Sequence, residues 1–87
     1  MARSEPIIFE HITQEQADSL RGSLVRAYPS NADTSPGVEI SLERGFSLVY
    51  TYADGTLTVT LEGPGWSMGY AESKMRSKIS ALLGRKT

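Results

Sequence analysis

The middle of the chain alternates apolar and polar residues. Val38, Ile40 and Leu42 alternate with Glu39, Ser41 and Glu43. Phe46, Leu48, Tyr50 and Tyr52 alternate with Ser47, Val49 and Thr51, and Leu57, Val59 and Leu61 with Thr56, Thr58, Thr60 and Glu62. A period of two over three consecutive segments predicts three half-buried strands. Asp54-Gly55 is the chemistry of a two-residue type I′ hairpin, in which both central residues take positive φ. That turn pairs Ala53 with Thr56 and sets Tyr52 opposite Leu57, Tyr50 opposite Val59 and Leu48 opposite Leu61. The preceding turn is selected by register. A two-residue Arg44-Gly45 turn pairs Leu42 with Ser47 and splits the apolar face. A three-residue Glu43-Arg44-Gly45 loop pairs Leu42 with Phe46, Ile40 with Leu48 and Val38 with Tyr50, and places Gly45 where a left-handed residue is needed. The predicted meander has one face of ten apolar residues and a wet face of Thr, Ser and Glu.

The flanks read as a strand and two helices. Pro6 opens an edge strand over Ile7–Ile12, preceded by a polar lead over residues 1–5. Both alternating sets of this strand are partly apolar, so the period leaves its buried face open. Thr13-Gln14-Glu15-Gln16 is a capping box. The helix it starts carries Ala17, Leu20, Leu24 and Tyr28 on one stripe, with Val25 and Ala27 beside them, and Pro29 ends it. A second helix is predicted from about Tyr70 to Leu83. Ala71, Met75, Ile79 and Leu82 form its stripe, Met68 lies one turn earlier, and Gly84 stands at C′. Trp66–Gly69 reads equally as a short extended arm or as the lead-in to this helix. Residues 29–37 are predicted to be a mobile surface loop. The order β-α-β-β-β-α, with one apolar sheet face and two amphipathic helices, predicts an α+β fold. It is a two-layer sandwich with a mostly antiparallel sheet and both helices on one face. Were strand one parallel to a neighbour through helix one, the crossover would be right-handed.

Composition narrows the function classes. At 87 residues the chain has room for one core, a single domain over 1–87. It has no cysteine, which excludes a disulfide framework, a thiolate zinc site and a cysteine nucleophile. The longest apolar run, Ile7-Ile8-Phe9, is far short of the about 20 residues of a membrane span. No apolar stretch of signal-peptide length stands at the N-terminus, so a cytoplasmic location is expected. The net charge of −1 hides an asymmetry: residues 1–72 hold four arginines against ten acidic residues, and residues 73–87 hold five basic residues and no acid. Such a split, ending in a basic tail over 84–87, marks a segment for an anionic partner. It is also what the macrodipole favours at a helix C-terminus, with Glu72 in the first turn.

No motif specifies a reaction. His11, the single histidine, lacks an evident carboxylate partner and nucleophile; Ser4 and Thr13 are the nearest hydroxyls. One histidine and no cysteine do not make a zinc site, and no EF-hand pattern joins the acidic residues, so neither metal nor cofactor is expected. Gly63, Gly65 and Gly69 follow a strand and precede a helix. Their spacing differs from the dinucleotide fingerprint, and Pro64 removes an N–H that a phosphate cradle would use. Trp66 and Tyr70 beside a basic helix resemble a stacking platform for single strands, but an isoelectric point near 5.7 argues against nucleic acid. Ser73, Ser77, Ser80 and Gly84 form a small-residue stripe that would admit a second helix. Lys74, Lys78 and Arg85 line one flank. The candidate interaction surface is therefore Trp66, Tyr70, Ser73, Lys74, Ser77, Lys78 and Arg85, with no catalytic residue.

Two stretches resemble the small bacterial family of putative polyhydroxyalkanoic acid system proteins. One is His11-Ile12-Thr13-Gln14-Glu15-Gln16-Ala17. The other is Asp54-Gly55-Thr56-Leu57-Thr58-Val59, followed by Met68-Gly69-Tyr70 and Met75-Arg76-Ser77-Lys78-Ile79. The similarity covers about a third of the chain; Ala71-Glu72-Ser73 and the long 29–37 loop depart from it. The resemblance implies a small accessory protein at a storage-granule surface and brings no catalytic residues. The expected function is a non-enzymatic interaction module. The alternative is a small-molecule-binding or enzymatic domain built on the Gly63–Tyr70 turn, and a concave pocket around Trp66 is the feature that favours it. A homodimer or another protein partner is expected, because strand one is apolar on both faces and only one sheet edge carries a guarding proline.

Overall fold

The computed structural model describes residues 2–42 and 44–84. Arg85, Lys86 and most of the predicted basic tail lie outside them, as does Glu43.

The hairpin chemistry at Asp54-Gly55 acts as the sequence requires. Asp54 (φ 51°) and Gly55 (φ 77°) are both left-handed. They join β4 (Ser47–Ala53) to β5 (Thr56–Gly63) with Tyr52 opposite Leu57, Tyr50 opposite Val59 and Leu48 opposite Leu61. The preceding loop holds the three-residue register. Ile40 of β3 (Ile40–Ser41) opposes Leu48, and the Leu42 N–H donates to the Phe46 carbonyl at 2.8 Å. Gly45 has the expected positive φ of 79°, but Arg44 is left-handed as well, at 59°. The loop thus combines the longer register with two successive left-handed residues.

β3 is shorter than predicted. Gly37, not Val38, donates to the Tyr50 carbonyl (2.8 Å), while Val38 N–H turns back to Ser35. This one-residue slip takes Val38 out of the ladder. Of the ten predicted face residues, Ile40, Leu48, Tyr50, Leu57, Val59 and Leu61 are buried, and Leu42, Phe46 and Tyr52 pack partly buried against them.

Strand one departs most from its prediction. The sheet order is β1-β5-β4-β3, with β2 also on β5, and every pairing is antiparallel. The N-terminal edge is therefore two short pieces, β1 (Ala2–Arg3) and β2 (Ile7–Phe9), where a polar lead and a six-residue strand were expected. Arg3 opposes Glu62 but Ile7 opposes Val59, so this edge carries one residue more than its partner. Ser4 fills the gap: its N–H donates to the Leu61 carbonyl (2.8 Å) and its Oγ accepts from the Leu61 N–H (2.9 Å). Pro6, with no N–H to place, falls in the same irregularity. β2 stops early because His11 is left-handed (φ 60°). That turn swaps the alternation: Ile7 and Phe9 are buried from one set and Ile12 from the other, while Ile8 stays exposed. Ile12 rejoins the sheet through its N–H to the Gly55 carbonyl, and its own carbonyl accepts from the Tyr52 hydroxyl.

Both helices cover one face of the sheet, as predicted. α1 (Gln14–Ala27) begins with both bonds of the capping box, Gln16 N–H to Thr13 Oγ1 at 3.1 Å and Thr13 N–H to Gln16 Oε1 at 2.9 Å. The Gln16 amide also donates to the Leu83 carbonyl, tying the start of α1 to the end of the second helix. Ala17, Leu20 and Leu24 are buried; Val25 and Ala27, expected beside the stripe, are exposed. Trp66–Gly69 is the helix lead-in, a single 3₁₀ turn (Gly65–Ser67) running into α2 (Met68–Leu82), and Gly84 takes the left-handed C′ conformation at φ 75°. α2 therefore starts two residues earlier than expected. Glu72 lies past its first turn, and Lys74, Arg76 and Lys78 stand in its middle. Met68, Met75, Ile79 and Leu83 reach the core.

The 29–37 segment is anchored at several points. Thr34 is buried, donates its hydroxyl to the Arg21 carbonyl of α1, and accepts from the Tyr50 hydroxyl at 2.6 Å. Asp33 accepts from Ser35 N–H and hydroxyl, which lowers its carboxyl below the usual value; burial pushes the Tyr50 phenol up. Asn31 guards the sheet edge that showed no guard in the sequence. Its side-chain amide accepts from Ser41 N–H and donates to the Ser41 carbonyl, both at 2.9 Å, so it occupies the edge groups a further strand would use.

Candidate functional site

One end of the sandwich is concave. A groove of about 600 Å³ runs between α2 with its lead-in turn on one side and the β3–β4 loop with Tyr28 on the other. Each wall has a local cause. Tyr28 is the C-cap of α1, held at the helix end by Pro29. Leu42 and Phe46 flank the loop between β3 and β4. Trp66 stands on the 3₁₀ turn that Pro64 initiates, with Ser67 N–H donating to the Pro64 carbonyl. Tyr70, Lys74 and Lys78 are four residues apart, so they share one flank of α2. Leu61, Ala71 and Met75 form the apolar floor.

Phe46 is positioned by a glycine. The β4–β5 register carries it opposite Gly63, and its ring lies over that residue: a Cβ on Gly63 would stand 2.1 Å from Phe46 Cδ1. One of the three glycines that suggested a ligand loop is thus required by a neighbouring ring. A Cβ on Gly69 would meet nothing within 4 Å, so packing does not demand glycine there.

The aromatic walls carry cations. Lys78 Nζ lies 4.6 Å from the centre of the Tyr28 ring and donates to its hydroxyl at 2.9 Å. Lys74 Nζ is 5.9 Å from the centre of the Tyr70 ring. Such contacts hold a long side chain over apolar surface while its charge remains available to a ligand. Arg44 supplies a third charge from the opposite wall. No carboxylate lines the groove among the described residues. The two aromatics of the lead-in are open to solvent: Trp66 is 91% exposed and Tyr70 70%.

The candidate surface read from sequence divides accordingly. Trp66, Tyr70, Lys74 and Lys78 come together on the groove. Ser73 and Ser77 are exposed on α2 but do not line it, and Ser80 is buried. The stripe is therefore not a continuous open surface for a second helix, because Ser80 sits beside Ile79 on the core side of α2. Arg85 lies outside the described residues. Sequence reasoning missed Tyr28, Leu42, Arg44 and Phe46, which it assigned to core stripes and a turn. One signal was available: the predicted register already placed Phe46 opposite Gly63, next to the Gly-Pro-Gly turn.

His11 stands at the other end of β5, where Ile12 meets Gly55. The hydroxyls considered beside it have structural duties, Ser4 with Leu61 and Thr13 with Gln16. Among the described residues no three of His, Asp and Glu are grouped to hold a metal ion. No helix among them is long and apolar enough to cross a membrane. Compared with protein-family models, curated proteins and solved structures, the chain matches none.

Proposed function

We propose that this protein is a non-enzymatic binding module of the cytoplasm and that the groove is its binding site. The observation that carries the reading is the coincidence of exposed aromatic rings with cations in one concavity. Clefts of about 300–1,000 Å³ with a few placed polar groups are the usual form of a small-molecule site, so volume alone favours the second, small-molecule reading. Trp, Tyr and Arg, three of the residue types here, are those that dominate interface energetics. The placement of the lysines adds support. A macrodipole acts within the last turn of a helix, and the last turn of α2 holds no basic residue. Lys74 and Lys78 lie mid-helix, over the aromatic wall. A small-molecule site in the same place is the second reading, favoured by the concavity around Trp66. The storage-granule setting implied by the family resemblance is compatible with either, and microscopy of a fluorescent fusion in granule-forming cells tests it directly.

Anilinonaphthalene sulfonate, an aromatic anion, probes the site. Saturable binding at one dye per chain is expected, with energy transfer from Trp66, the single tryptophan. Trp66→Ala and Phe46→Ala should each weaken the binding, followed by dye emission, with far-UV circular dichroism unchanged for Trp66→Ala. Dye binding equal in wild type and both variants would remove the groove as the site.

A further inference from the structure

Resting on that reading, we infer that the natural occupant of the groove is an acidic amphipathic segment of another protein, with apolar side chains on the apolar floor between the aromatic walls and carboxylates toward Arg44, Lys74 and Lys78. Three observations narrow the occupant. First, the groove is open. A small ligand would be enclosed over most of its surface, whereas Trp66 at 91% exposure and Tyr70 at 70% leave broad ring area that only a larger body laid across them would cover. Second, the charge complement is specific and limited. The described lining carries Arg44, Lys74 and Lys78 with no carboxylate, although the chain as a whole is at −1. A partner with a few carboxylates is matched by such a rim. A nucleic-acid strand presents a charge at every nucleotide and needs a longer basic track. Third, the floor is suited to apolar side chains. Leu42, Leu61, Ala71 and Met75 lie between the rings, and methionine adapts its shape to varied side chains.

A second copy of this chain is a weaker occupant. The β3 edge is closed by Asn31, and the small-residue stripe of α2 is interrupted by buried Ser80.

The test is selection from a random short-peptide library on the immobilised full chain, in parallel with Trp66→Ala and with the double variant Lys74→Glu/Lys78→Glu. All three positions are exposed, so the variants keep the core. Peptides enriched on wild type should hold an excess of Asp and Glu interspersed with aromatic and aliphatic residues. The most enriched peptide, resynthesised, should shift Trp66 emission to the blue and bind Trp66→Ala at least about tenfold more weakly. The double variant should select Lys- and Arg-rich peptides instead. Enrichment without charge preference, or equal binding to Trp66→Ala, overturns the inference. So does tighter binding of an oligothymidylate at physiological salt, or a concentration-dependent doubling of mass that buries Trp66. Failure of the library to enrich any peptide, while the aromatic dye still binds the groove, overturns the acidic-segment inference and leaves the binding module standing. Failure of both removes both.

Discussion

Gly63→Ala is the perturbation whose consequence can be worked through most fully. A Cβ at this position would stand 2.1 Å from Phe46 Cδ1, 2.5 Å from Cε1 and 2.9 Å from Cγ. Carbon atoms pack at about 3.5–4.0 Å, so the ring must move by more than an ångström. β4 and β5 are locked by seven paired positions and cannot spread. The Phe46 ring, which also lines the groove, must move off Gly63 and forfeits its contact with β5. Overpacking of this kind costs about 1–3 kcal/mol. Removing glycine from a strand returns about 0.5–1 kcal/mol. The net loss is between about 0 and about 2.5 kcal/mol, and each kcal/mol lowers the melting midpoint of a domain this size by about 4–8 °C. Thermal and urea unfolding of wild type, Gly63→Ala, Phe46→Ala and the double variant form a cycle with a sign change in it. In the Phe46→Ala background there is no ring to displace, so Gly63→Ala should be neutral or stabilising. Equal destabilisation in both backgrounds would refute the account. Dye affinity gives a second readout, since a displaced ring fills part of the groove and should weaken binding.

Other outcomes follow from the same structure. Asn31→Ala removes both side-chain bonds to Ser41 and uncovers the β3 edge; stability should fall by about 1–2 kcal/mol, and sedimentation should show stronger self-association than wild type. Unchanged sedimentation would mean that the amide is no guard. Gly45→Val should lower stability by at least about 1 kcal/mol, since a β-branched residue resists positive φ; an unchanged midpoint would contradict the loop geometry. Arg44→Gly relieves a left-handed non-glycine residue and should raise the midpoint while weakening dye binding; a lower midpoint would contradict the backbone strain, and unchanged dye binding the assignment of Arg44 to the groove. Burial raises the Tyr50 phenol above its ordinary value near 10 in the folded chain. Its contribution is fully present below about pH 10 and is lost as pH rises through the folded value. Tyr50→Phe loses the bond to the Thr34 carbonyl, so it should be less stable near neutrality. Its urea midpoint should then fall less than that of wild type above about pH 10, and parallel declines would refute the linkage.

Much of the architecture was determined by the sequence alone, because its causes are local. Alternation at period two places Leu57, Val59 and Leu61 on one face wherever the strand lies. Asp54-Gly55 supports a single hairpin geometry, and that geometry aligns β4 with β5. Thr13 and Gln16 satisfy each other's backbone N–H groups within one turn. The apolar stripes of both helices then admit one arrangement, a cover on the single apolar face of the sheet. Four of the groove residues were legible for equally local reasons, Trp66 and Tyr70 as aromatics flanking the Gly-rich turn and Lys74 and Lys78 as neighbours on one helical flank.

Tertiary structure decided what depends on residues distant in sequence. β2 lies against β5, not beside β3 or β4, and no pattern within Ile7–Ile12 encodes that choice; its two faces were equally apolar until the left-handed turn at His11 assigned them. Asn31 closes an edge only because the loop carries its amide to Ser41, ten positions on. Ser80 is buried although a single-helix projection places it opposite the apolar stripe, because a projection does not register what packs around the helix. The groove itself joins Tyr28, Arg44 and Phe46 to α2. Each of those residues had an adequate local explanation as core stripe, turn or strand, and a concavity has no signature in any one segment. It forms where the lead-in turn after Gly63 brings α2 opposite the β3–β4 loop and the end of α1.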